Sequence, residues 1–276
     1  MSNQIIQRKQ EVNKILAGDY GERIKSVLGN EKKFARFKSA IVSICLNEQL
    51  SECSLTSILQ SAKDLAEIDL DINPLLGQAY IVKYKQSAQA IISYKGYISL
   101  AERFGRQVKA FSVFRCDQFE IDLSDFDEKV IFKPNFTERK ESDDIWFKEN
   151  LIGVLVKVRE ENGVVKNQFV SKEKLFKIAG VSPSRNSKYS PYEKWGEEMF
   201  LAKALKYVLS KMPMNEKISR AIEIDNIVDK QRVESMQKEN DTNDVVASLI
   251  DDVTPQETLE YDAETGEVIE EVANEK

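Results

Sequence analysis

The chain has 276 residues and a formal net charge of −6, with 42 % hydrophobic and 31 % charged residues, the proportions of a globular protein with one moderate domain plus appendages. Histidine is absent, which excludes Ser-His-Asp and Cys-His catalysis and histidine metal sites. The three cysteines, Cys45, Cys53 and Cys116, show no CxxC spacing and read as reduced, mostly buried thiols; no GxxxxGK[ST] occurs, so a P-loop ATPase is excluded.

Residues 1–70 read as helical. Phe34, Phe37, Ile41, Ile44 and Cys45 recur at spacings of three and four between Glu31 and Leu46, and Ser54 is placed to cap a helix carrying Ile58, Ala62, Leu65 and Ala66. Asn73-Pro74 then breaks regular structure. Tyr80–Tyr84 and Gln89–Tyr94 read as strands about a Lys85-Gln86-Ser87 turn. Gly96 is expected to open a short helix with Tyr97, Leu100, Ala101 and Phe104 on one side, and Gly105 to close it in the left-handed conformation. Gln107–Arg115 and Phe119–Leu123 read as further strands, and residues 124–149 as an exposed irregular excursion.

Leu151–Arg159 and Val164–Val170 flank Glu160-Glu161-Asn162-Gly163, a hairpin signal centred on Asn-Gly. A short helix follows Ser171 and stops at Gly180, and residues 181–190 form a polar loop. Residues 191–212 read as a helix capped by Ser190, with Pro191 at its first position, Glu193 completing a capping box and Pro213 ending it. Tyr192, Trp195, Met199, Ala202, Leu205, Leu209 and Met212 form one apolar stripe on it, leaving Lys203 and Lys206 on the polar side. Beyond about residue 228 the chain is polar and acidic and reads as disordered, with a transient helix at Asp244–Ile250.

The net charge hides a division. Residues 1–220 hold 36 Lys and Arg against 29 Asp and Glu, whereas residues 221–276 hold 4 against 17. The body is basic and the tail acidic, so the two are read separately. Within residues 79–115 the bias is strongest: Lys83, Lys85, Lys95, Arg103, Arg106, Lys109 and Arg115 stand against Glu102 alone, among seven tyrosines and phenylalanines. Cations that follow a phosphate backbone beside rings that stack on bases suit single-stranded nucleic acid. The alternative is a half-buried sheet with core rings and solvated lysines.

Three segments, LDINPLLGQAYIV (70–82), IISYKGYISLAERFG (91–105) and SPYEKWGEEMFLAKALKYVLSKMP (190–213), resemble the RecT family of phage and prophage recombinases in residues, order and spacing. The family pattern has proline at Lys83, tryptophan at Tyr192 and a second basic residue at Tyr207. The resemblance implies an α+β fold, a curved antiparallel sheet with packed helices. It also implies an ATP-independent, non-enzymatic protein, without cofactor, that anneals complementary strands in a bacterial cytoplasm. Implied partners are single-stranded DNA and the annealed duplex intermediate, further copies of the chain in a ring or helical filament, a partner exonuclease and the host single-strand binding protein. No membrane partner is expected, because no run of about 18 apolar residues exists and the N-terminus lacks the apolar core of a secretory signal.

The domain reading places helical oligomer contacts in 1–75, the DNA-binding core in 76–220 and a partner-docking tail in 221–276. Candidate DNA contacts are Lys83, Lys85, Tyr94, Lys95, Gly96, Tyr97, Arg103, Arg106, Lys109, Arg115, Lys203 and Lys206. Lys95 and Arg103 lead for phosphate, with Gly96 bringing helix N–H donors close. Lys109 and Arg115 share a face if one strand holds both. Tyr94 and Tyr97 are stacking candidates, although Tyr97 begins an apolar stripe and also suits the core. Two rivals remain open: a metal-dependent nuclease using carboxylates such as Asp117, Glu120, Asp122, Asp125, Asp127 and Glu128, and a passive coat on single-stranded DNA or RNA.

Overall fold

In the computed structural model, which describes residues 2–122, 124, 128–180, 196–213 and 215–230, the N-terminal part is helical as expected. Helices α1 (Ser2–Leu16), α2 (Asp19–Leu28), α3 (Glu31–Cys45) and α4 (Leu55–Glu67) bury Val12, Leu16, Ile24, Phe37, Ile41 and Leu65 in one core. Asn30 Oδ1 accepts from the backbone N–H of Lys32 and Lys33, and Ser54 Oγ from that of Ser57, satisfying donors that the first turns leave open. Arg8 of α1 reaches across to donate to the carbonyls of Leu50, Ser51 and Cys53. Cys45 and Cys53 are buried free thiols, and burial pushes the Cys45 thiol up to about 11.

β1 (Ala79–Tyr84) and β2 (Ser87–Ile92) form an antiparallel hairpin with Lys85 in the left-handed region at φ +55°. Small residues Ala88 and Ala90 let β2 lie close on α4, where Ser61 Oγ donates to Ala88 O at 3.2 Å. Helix α5 (Tyr94–Glu102) leads into β3 (Gln107–Phe114), and Gly105 between them takes φ +74°, as the sequence predicts. β3, β6 (Leu151–Arg159) and β7 (Val165–Ser171) make an antiparallel sheet in the order β3-β6-β7.

On one face of that sheet Val108, Val154, Val156, Val158 and Val170 enter the core against α5 and against α8 (Gly196–Leu209). On the other face Phe111 and Phe169 are covered by a ribbon of β4 (Gln118–Asp122) and β5 (Lys129–Lys133), through Phe119 and Phe132 at ring-centroid distances of 4.8–6.2 Å. The fold is α+β with antiparallel pairing throughout the described strands.

Three sequence expectations change. Residues 124–149 contain β5 and a helix α6 (Asp144–Asn150) capped by Asp143, two elements too short for their periodicity to stand out among charges. Helix α8 has no single apolar stripe: Phe200 through Lys206 are all buried. The reason is a further helix, α9 (216–230), which covers the side of α8 expected to face solvent. Asn215 Oδ1 caps it by accepting from Ile218 N, and Ile218, Ala221, Ile222, Ile224 and Val228 are buried. The expected boundary at 220 thus falls inside a helix, and one apolar cluster joins Val12 to Ile224.

Helix α7 (Lys172–Gly180) follows β7 as expected. The Ser190 cap, Pro191, Tyr192, Glu193, Trp195, the 181–190 loop, the acidic tail and the Asp244–Ile250 segment lie outside the described residues. Among the described residues, no helix is long and apolar enough to cross a membrane.

Candidate nucleic-acid interface

Ser93, not Gly96, starts α5. Its Oγ accepts from Gly96 N at 3.1 Å and donates to Gly77 O at 2.6 Å. The Gly96 N–H is therefore already satisfied within the fold. A Cβ on Gly96 would stand 2.3 Å from Gln78 O, so glycine is required for close backbone packing rather than for approach to a ligand. Tyr97 is 1 % exposed, and burial, with the charges of Asp225 and Asp229 nearby, drives its phenol pKa well up. It belongs to the core.

Tyr94, half-buried against the core, and the exposed Lys95 stand on the same first turn. Lys95 Nζ lies 5.9 Å from the Tyr94 ring centroid and is in no ion pair among the described residues. Gly77, at φ +61°, keeps the floor low beside both Lys95 and the Tyr80 hydroxyl. Tyr80 and Tyr84 share one face of β1, with Lys85 Nζ 5.9 Å from the Tyr84 centroid. The outer face of the hairpin and the first turn of α5 thus alternate tyrosines with exposed ammonium groups.

Other candidates are engaged elsewhere. Lys83 points to the opposite face of β1 and forms an ion pair with Glu52, whose carboxyl is thereby held below its ordinary range. Arg103 pairs with Asp69, which also receives Lys33. Arg106 is 6 % exposed. Its Nε donates to Glu160 at 2.7 Å, Nη1 donates to Pro213 O at 2.6 Å, and the guanidinium lies 5.0 Å from the Phe104 centroid. It ties α5 to the β6–β7 turn and to the segment after α8.

β3 ends at Phe114 after a bulge at Val113/Phe114, so Arg115 is not in the strand with Lys109; Arg115 N instead donates to Asn150 O. Lys109 stands opposite Lys157 in the β3–β6 register, beside Arg159. Like charges directly across a strand pair are unfavourable, and neither lysine is in an ion pair among the described residues. Lys157 and Arg159 were missed because they sit in a run of valines that reads as a core strand; their alternation with Val156 and Val158 was the available signal.

Lys203 and Lys206, one helical turn apart on α8, meet Asp225 and Asp229, one turn apart on α9. The four Nζ–O distances are 3.3 and 2.8 Å from Lys203 and 2.8 and 3.2 Å from Lys206. The lysines are 5 % and 8 % exposed. Burial alone would raise the Asp225 carboxyl, but the two ammonium groups outweigh it and hold the group down to about 2. These lysines are closed into the fold by carboxylates.

The acids proposed for a nuclease do not converge. Asp117 accepts from Arg139 at 2.6 and 3.0 Å and from the N–H of Phe114 and Asn135, while Glu128 accepts from Asn167. Burial would raise the Asp117 carboxyl, yet Arg139 and the backbone donors hold it below its ordinary range. Asp125 and Asp127 lie outside the described residues, and among those described no cluster of three metal-ligating side chains occurs.

The RecT family pattern matches residues 35–243, more than half of the chain. Over 86 residues the chain is 41 % identical to the uncharacterized protein YqaK of Bacillus subtilis, covering 31 % of this chain and 30 % of that one. Over 186 residues it is 24 % identical to protein RecT of Escherichia coli, covering 64 % and 65 %. The chain thus spans less than two thirds of the length of either relative.

Proposed function

The chain belongs to the RecT family, and on that footing we propose that it is an ATP-independent single-strand annealing protein. Single-stranded DNA runs over the outer face of β1–β2 and the first turn of α5, continuing to the Lys109–Lys157 end of the sheet. The observation that carries this reading is the row of Lys85, Tyr84, Tyr80, Lys95 and Tyr94, in which Lys95 lacks a carboxylate partner among the described residues. Phosphates neutralised there repel a second strand less, and bases left outward are available for pairing.

Copies of the chain act together, with residues 1–75 contributing contacts between subunits, the core from 76 through the end of α9 binding the strand, and the acidic residues after α9 serving as a docking segment. A partner exonuclease and the single-strand binding protein of a bacterial host supply and hand over the strand in the cytoplasm. The deciding experiment mixes two complementary labelled oligonucleotides with the protein, without nucleotide triphosphate. Faster pairing is expected. Slower pairing identifies a passive coat, and loss of label by cleavage identifies a nuclease.

A further inference from the structure

Tyr207 stands where α8 approaches its end, and its ring is approached by two ammonium groups from separate elements. Lys211 Nζ lies 4.2 Å from the ring centroid and Lys174 Nζ, from α7, 5.0 Å. A cation after a helix C-terminus is ordinary, because the helix dipole favours it there. That accounts for Lys211 but not for Lys174, which reaches the same ring from a neighbouring helix. Beside the ring opens a cavity of about 450 Å³, lined by Ile178, Lys203, Lys206, Tyr207, Asp229 and Lys230. Its volume lies in the range of small-ligand sites, roughly 300–1,000 Å³.

The Lys203–Lys206–Asp225–Asp229 lattice forms one wall of this cavity and is already balanced, two cations against two anions. Lys174 and Lys211, in no ion pair among the described residues, add positive charge beside the Tyr207 ring that lines the cavity. Both flank the π surface of a half-buried ring, and cations beside an aromatic ring are the combination that binds a phosphate together with its base. Hydrogen bonding from Lys211, with the charges of Lys211 and Lys174, holds the Tyr207 phenol below its ordinary range, which shows that the ring lies in a positive field.

We propose that Tyr207, Lys174 and Lys211 form a second contact for single-stranded nucleic acid, separate from the α5 face: a phosphodiester bridges the two lysines across Tyr207 and the adjacent base enters the cavity. This rests on the annealing reading, which supplies the ligand. Lys211 is exposed and Lys174 half-buried, and neither is part of the buried core, so their substitution leaves the core intact.

The test uses the full chain and an iodouracil-substituted single strand, with binding followed by fluorescence anisotropy and photo-crosslinks mapped by mass spectrometry. The double variant Lys174→Gln/Lys211→Gln is expected to bind roughly tenfold more weakly, and its log-affinity against log-salt slope to be shallower by about 0.7, the share of one phosphate on a single strand. Tyr207→Phe keeps wild-type affinity, Tyr207→Ala does not, and crosslinks appear at Tyr207. Unchanged affinity and slope in the double variant, with crosslinks confined to the α5 face, would overturn the second site while leaving the annealing reading standing. A wild-type chain that fails to bind the strand at all removes the annealing reading itself.

Discussion

Helices α5 and α8 both set lysine beside tyrosine within a family motif, and the fold treats the two pairs in opposite ways. On α5, Lys95 projects into solvent next to Tyr94 with no carboxylate partner among the described residues. On α8, Lys203 and Lys206 are nearly inaccessible and each touches two aspartates. The difference lies in what covers each helix. Among the described residues no carboxylate pairs with Lys95, whereas α9 brings carboxylates at a four-residue spacing onto lysines at a three-residue spacing. A lysine's role is therefore set by the element that faces it.

The largest expected effect breaks the buried side of this contrast. Lys203→Ala leaves Asp225 and Asp229 short of a counter-charge in the interior and should cost about 3–5 kcal/mol, read from chemical denaturation. The same substitution at Lys95 should change stability by less than about 0.5 kcal/mol, as at an ordinary surface position. Equal, small losses at both positions would erase the distinction. Next is Gly96→Ala, whose Cβ meets the Gln78 carbonyl. Overpacking of this kind costs about 1–3 kcal/mol, measurable as a lower midpoint of unfolding, and would show that the glycine serves packing.

Acid titration sharpens the contrast further. Asp225 has its folded pKa depressed from 3.8 to about 2, so its share of stability is present above pH 3.8 and is lost as pH falls toward 2. Stability followed by circular dichroism should show no contribution from this lattice to any change between pH 5 and 8. A loss across pH 5–8 that Asp225→Asn abolishes would contradict the assignment. The smallest effect concerns Tyr97. Its hydroxyl is buried and without a hydrogen bond of good geometry, so Tyr97→Phe should leave both stability and strand affinity near wild type.

Much of the scaffold was legible because local chemistry fixes it: Ser54 caps α4, Gly105 turns the chain at φ +74°, and Asn162-Gly163 closes the β6–β7 hairpin. Ser93 was overlooked as the cap of α5 because Gly96 is the more conspicuous breaker, although a serine three residues before it carries the stronger physical signal. The burial of Lys203 and Lys206 needed a tertiary partner. Only the recurrence of aspartate at 225 and 229, among Ile222, Ile224 and Val228, hinted that a second amphipathic helix with an acidic edge would dock there. Arg106 was unreadable for a similar reason, since its partners Glu160 and Pro213 lie 54 and 107 residues away.

The most direct measurement is chemical footprinting of lysines, by acetylation and mass spectrometry, with and without a single strand. Lys85, Lys95 and Lys109 should react in the free protein and be protected by DNA, while Lys203 and Lys206 stay unreactive in both states. Protection that appears at Lys203 and Lys206 but not at Lys95 would contradict the account.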